Sequence, residues 1–362
     1  MTQIELEEAP VATTVRDGWW RGAWTVTVLE LRQRVRSTRW IVALVVWFVV
    51  VGGITLLTSG ALAAVSTNGD SSAQHASNGP LLFAVVSFLV LGLGLLVTPT
   101  LTSTGINGDR NAGTLATLQV TLLSPSEIAA GKLLAAWLAA CAFLVASLPF
   151  LGVALAMGGT PVMSLVRVVL IIALLLAAVC GIGLGYSALV ARTAGSTVLT
   201  FLTVAALTLL TPILFATTYP SISHDQTATI YTMVPTADGD YRCEKLPQTR
   251  SVAHTERTWW LLGINPFVVL ADGAEAAPTG PEPFDDPMAA IREGVRMLRA
   301  GGGPTDECSP SGVAQESLSY SATPFWFWGL GANILLGAAG FTVAVRRLRI
   351  PQRKLARGTR VA

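Results

Sequence analysis

Residues 162–190 read VMSLVRVVLIIALLLAAVCGIGLGYSALV, and Arg167 is the one charged residue among them. A helix needs about 20 apolar residues to cross the ~30 Å hydrocarbon core of a bilayer. A soluble strand or core helix does not sustain such a run. Five more stretches share its character: Trp40–Leu57, Leu81–Leu101, Leu133–Met157, Ser196–Thr218 and Phe325–Val345, none with a charged residue. The composition agrees. Of 362 residues 52% are hydrophobic and 13% charged, about half the ~25% charge of soluble domains. So little charge cannot cover a water-exposed globule, and the net charge of +2 gives no nucleic-acid footprint.

The reading is an all-α integral membrane protein with six transmembrane helices. Arg167 lies near the start of its span and reaches the interface by snorkelling, which makes it an anchor before it is a substrate contact. Basic residues then set orientation. Arg32, Arg34, Arg36 and Arg39 precede the first span, and Arg346, Arg347, Arg349 and Arg353 follow the last. Both termini are therefore expected in the cytoplasm of a cell-membrane protein, as an even number of spans requires. The chain divides into a cytoplasmic N-terminus (1–39), five spans with their loops (40–218), an extracytoplasmic cap (219–323), the sixth span (324–345) and a basic tail (346–362). Ala61-Leu62-Ala63 imitates a signal-peptidase site, but the span before it fits an uncleaved anchor. Residues 25–39 form an amphipathic lead-in, with Val28, Leu31 and Val35 on one face and Arg32, Arg36 and Arg39 toward headgroups.

The cap is punctuated by prolines, and short helices are expected there. Asp286–Ala300 places Met288, Ile291, Val295 and Leu298 on one face. Trp259–Ala271 is apolar, but Pro266 interrupts it, so an interfacial or re-entrant element fits better than a seventh span. Cys243 and Cys308 share this segment, where oxidising conditions favour a disulfide; two free thiols are the competing reading. Cys141 and Cys180 lie within spans as small packing residues.

Catalytic chemistry finds little support. His75, His224 and His254 lie outside the spans without ligand spacing, and no carboxylate inside a span offers a proton relay. No phosphate loop exists, since Gly131-Lys132 is followed by Leu133 and lacks the upstream glycine. The chain is read as no enzyme and as binding no cofactor. Gly181 and Gly185 form a GxxxG step that lets another helix approach, and a helix of a second copy is one such neighbour.

Residues 103–132 carry the most information: STGINGDRNAGTLATLQVTLLSPSEIAAGK. Asn107, Gly108 and Asp109 supply turn and cap chemistry, Thr114–Leu123 reads as a short helix, Ser124-Pro125 ends it, and Ser126-Glu127 starts the next. The order Asp109-Arg110, Gly113-Thr114-Leu115, Pro125 and Gly131-Lys132 resembles the second cytoplasmic segment of ABC-2 type exporter permeases. Six spans and cytoplasmic termini fit too; Asp109 stands where that family usually has Glu, and the cap is longer than is common. The resemblance implies a coupling helix seated in a separate ATPase subunit that binds ATP and Mg. Asp109 and Arg110 would contact that ATPase, Gly113 and Thr114 start the helix, and Leu115 and Leu118 dock. It further implies a second permease copy or a homologue as partner and export with the partner's energy, while the nearly charge-free spans point to an apolar or amphipathic cargo. A non-transporting sensor or scaffold that displays the cap is the rival from another class.

Overall fold

The computed structural model describes residues 18–66, 71–114, 123–235, 241–274, 286–301 and 323–349. Among the described residues six helical stretches are long and apolar enough to cross a membrane: Thr38–Ala64, Asn78–Asn111, Pro125–Ala156, Val162–Leu189, Thr193–Ile222 and Trp326–Leu348. The all-α membrane architecture stands, with the helices longer than their apolar cores.

Helix α1 (Trp19–Val35) precedes the spans. The first two spans are α2 (Thr38–Ser66) and α3 (Ser71–Thr102), and the short α4 (Asn107–Asn111) extends the second. Spans three and four are α5 (Pro125–Ala156) and α6 (Val162–Leu189). Span five is broken: α7 (Thr193–Ala205), a π-helical turn at Ala206–Leu210, then α8 (Thr211–Ile222). Spans two and four are the most buried, one and five the least. The main core is built from Leu82, Phe83, Leu91, Leu151, Ile172, Leu175 and Leu176 among others. A smaller core of Ile106, Ile128, Leu184, Ala344 and Leu348 closes the end of the bundle where α4 lies.

The segment after span five corrects the expectation of short helices alone. Strand β1 (Ser223–Pro235) pairs antiparallel with β2 (Tyr241–Ala253), from Ser223↔Ala253 to Pro235↔Tyr241. Its signal is local: the β-branched and aromatic run Thr227–Val234 precedes Asp238-Gly239, a favoured hairpin dipeptide. Both strands are edges, so Pro247 in β2 removes no hydrogen bond to a third strand. Then follow α9 (Trp260–Gly263), α10 (Pro266–Gly273), α11 (Pro287–Ala300) and the sixth span α12 (Trp326–Leu348).

Pro266 breaks α9 from α10 as its sequence requires. It takes the first position of α10, where a missing N–H costs nothing, and Asn265 caps the helix by accepting from Phe267 N. Val269 and Leu270 are fully buried in the main core, which makes α10 an inserted element. Asp286 caps α11 through the Met288 and Ala289 N–H groups.

Asp272, at the end of α10, organises the start of span six. Its fully buried carboxylate accepts from Phe325 N at 2.6 Å, Trp326 N at 2.7 Å and Arg296 Nε at 2.7 Å. One side chain thus caps a membrane helix it does not belong to and ties it to α11. Gly181 and Gly185 face span six of the same chain. A Cβ on Gly181 would lie within van der Waals radii of the Gly337 carbonyl oxygen, and one on Gly185 would lie 2.6 Å from Gly340 Cα. That face is spent inside the chain and is not a contact with a second permease half.

Candidate functional site

The short segment between spans two and three is held from three directions. Lys132, at the start of span three, has a side chain only 3% exposed. Its ammonium donates to Glu30 Oε1 of α1 and to Asp109 Oδ2 of α4, both at 2.5 Å. Burying a lone ammonium would be costly, and two carboxylates offset it. The second hold is Ser187 of span four, whose hydroxyl accepts from the Ile106 and Asn107 N–H groups and donates to Asn107 Oδ1. The third is span five, where Ser196 donates to the Ser103 carbonyl at 2.6 Å.

Helix α1 reaches this cluster because small residues let it. A Cβ on Gly131 would sit 2.5 Å from Val26 Cβ and 2.7 Å from the Ala23 carbonyl oxygen. The Thr27 hydroxyl donates to the Ala23 and Gly131 carbonyls across the same contact. Ala23, Val26 and Thr27 are the docked face of α1. The expected apolar face is elsewhere: Val35 is exposed with Trp20 and Trp24, which at helical spacing form a stripe beside the docked one. That stripe suits lipid.

The start of span three corrects the reading of residues 124–127. Ser124 is the N-cap, Pro125 the first helical residue and Glu127 the third, in a complete capping box. Ser124 Oγ accepts from Glu127 N, and Ser124 N donates to Glu127 Oε2. Pro125 therefore opens span three, one residue ahead of the expected start at Ser126.

The residues named from sequence separate into two sets. Asp109, Gly131 and Lys132 point inward and bind this chain's own elements. Arg110, Gly113 and Thr114 are exposed, and Gly113 has a φ of 74°, a left-handed turn that favours glycine. Leu115 and Leu118 lie outside the described residues, as does most of the expected helix Thr114–Leu123. Cys243 is half of a disulfide; its expected partner Cys308 also lies outside the described residues. Cys141 and Cys180 are free.

Glu30 and Ser187 escaped the sequence reading, and Asn107, expected only as turn and cap chemistry, bonds to Ser187. Glu30 had a signal: it is the one carboxylate between residues 18 and 39, amid arginines. Ser187 had none, since a serine near the end of an apolar span is ordinary.

A second feature lies toward the other end. The π turn of span five widens the helix, and Asn265 Nδ2 donates to the Thr208 carbonyl at 2.8 Å and to Thr211 Oγ1 at 3.2 Å. Beside the turn is an apolar cavity of about 510 Å³, lined by Phe88, Gly92 and Leu96 of span two, Ala205, Thr208 and Leu209 of span five, and Phe267. Turns of this kind often mark functional positions, and the volume falls within the ~300–1,000 Å³ of ligand sites.

Comparison with known proteins places this geometry in a family. A family model described as ABC-2 family transporter protein matches residues 24–270, from the docked helix through α10. No curated protein matches the chain. The match covers more than half of the sequence, so the chain belongs to the ABC-2 transporter family, a family of membrane transport components whose members pair with an ABC ATPase.

Proposed function

We propose that this ABC-2 family chain is the permease subunit of an ATP-driven exporter, moving an apolar or amphipathic cargo outward with energy from a separate ATPase. In this reading both termini are cytoplasmic, residues 219–323 form the extracytoplasmic cap, and the ATPase seats on the segment that begins at Arg110. ATP and magnesium belong to that partner. A second permease copy, or a homologue, completes the path, and the cavity beside the π turn of span five is the part of that path this chain contributes.

The observation that supports it most is the three-way hold on α4. A segment meant to transmit a push must be stiff where it meets the bundle and accessible where it meets the partner. Lys132, Ser187 and Ser196 make α4 stiff against α1 and spans three, four and five. Arg110 through Thr114 remain exposed beyond it. Asp109, expected to touch the ATPase, acts as part of the hold, and Arg110 takes the contact.

Co-purification with a soluble ABC ATPase co-expressed with this chain tests the reading. Arg110→Glu reverses an exposed charge without touching the core, and Gly113→Pro forbids the positive φ, since proline is fixed near −65°. Each should weaken association about tenfold or more while the permease keeps its melting temperature. Unaltered association of both variants would refute the docking site and leave the scaffold reading in its place.

A further inference from the structure

We propose that the recess between α1, the first two spans and Phe143 is the seat of one anionic phospholipid, with the lipid phosphate on Arg34 and an acyl chain along Trp40 and Trp47. This site is separate from the cavity beside the π turn; the two share only Leu93 among their lining residues. It does not depend on the transport reading.

The recess has a volume of about 720 Å³, ample for part of a lipid by the measure of ~300–1,000 Å³ ligand sites. Its polar end is defined by Arg34, Ser37 and Arg39, and no carboxylate lines it. Arg34 Nη2 donates to the Leu101 carbonyl at 3.0 Å, while Nη1 is buried with no hydrogen-bond partner. Glu30, one turn back on α1, attracts Arg34, but its Oε1 is held by Lys132. A guanidinium with a buried, open donor is a costly arrangement unless something completes it. Burial, the dominant influence, lowers the Arg34 pKa from its ordinary value despite Glu30. Helix α2 starts at Thr38 on the rim of the recess, and the positive end of its dipole adds to the pull on a phosphate.

The other end of the recess is apolar and long. Its wall on α2 runs from Trp40 to Val50, about 15 Å at the helical rise of ~1.5 Å per residue. That is half the ~30 Å hydrocarbon core, the depth of one leaflet. A free phosphate or a small metabolite has no use for such a wall, whereas an acyl chain attached to a phosphate needs it. Val46, which lines the recess, is 54% exposed on the outside of the bundle, so a lipid enters sideways from the bilayer. The occupant also fills the space between α1 and the first span, one turn from Glu30 and the Lys132 cluster.

Native mass spectrometry of the full chain in mild detergent tests the site. Three probes are offered separately: phosphatidylglycerol, phosphatidylcholine with the same acyl chains, and glycerol phosphate without chains. The wild-type chain should retain one phosphatidylglycerol and clearly less phosphatidylcholine. Arg34→Gln should cut that retention about tenfold, the loss of one charge-assisted contact. Ala43→Phe, which keeps Arg34 but fills the recess, should do the same, and it decides alone if Arg34→Gln fails to fold. Equal retention of the two lipids would overturn the proposal by showing a non-selective apolar recess. Glycerol phosphate bound as well as phosphatidylglycerol would overturn it by showing a bare anion site, and so would a wild-type chain that retains no lipid.

Discussion

Replacing Lys132 by methionine keeps most of the side-chain volume and removes the single positive charge shared by Glu30 and Asp109. Both carboxylate oxygens lie 2.5 Å from the same nitrogen, so they are no more than about 5 Å apart. At an effective dielectric constant of about 20, two like charges at that separation repel by about 3 kcal/mol. Glu30 and Asp109 are 19% and 28% exposed, so solvent relieves part of this, and a net loss of about 2–3 kcal/mol is expected. For a chain of this size that is a fall in melting temperature on the order of 5 °C, read by tryptophan fluorescence in detergent. Adding Asp109→Asn to Lys132→Met should recover most of the loss. If Lys132→Met melts within about 1 °C of wild type, the cluster does not hold α4 and the stiffness argument fails.

Asp272→Asn places an amide donor among the three N–H groups that now point at a carboxylate; a loss of about 2–3 kcal/mol is expected, read by the same melt. Gly181→Leu must push span six away from span four, since even a Cβ there has no room against Gly337; overpacking of about 1–3 kcal/mol or a failure to accumulate in the membrane should follow. Alkylation without reductant should label Cys141 and Cys180 after unfolding, with Cys243 and Cys308 joining them only after reduction. Burial by itself raises the Glu256 carboxyl, but its own backbone N–H and the His254 ring outweigh that and hold it below its ordinary value. Its contribution is thus present at neutral pH and lost as pH falls through the lowered value. At this exposed pair it is small, so Glu256→Gln should melt within about 1 °C of wild type at pH 7.

The spans were readable because one solvent imposes one length. Any helix crossing a bilayer must hide its backbone within itself and show apolar side chains over about 20 residues. Caps were readable in kind for a similar reason: Asp286 and Asn265 act on N–H groups two or three residues away. Ser124 shows the limit. Ser124 and Ser126 both have the chemistry of a cap, and what selects Ser124 is Glu127 at the right offset with Pro125 between them. The hairpin was harder to read because prolines, which central strands exclude, sit within both of its strands at Pro235 and Pro247.

What the sequence concealed are pairings across the chain, and these decide how the loop between spans two and three works. Glu30 and Lys132 are 102 positions apart, Asn107 and Ser187 are 80, and no periodicity links them. Each pairing follows from a helix approach that a glycine permits: Gly131 admits α1, and Gly183 of span four admits Thr102 at the end of span two. Gly131 and Lys132 therefore form one device, the first setting the distance between helices and the second using it to gather Glu30 and Asp109. A glutamate in place of Asp109 would reach the same ammonium from one methylene farther back, which shifts α4 but keeps the charge balance.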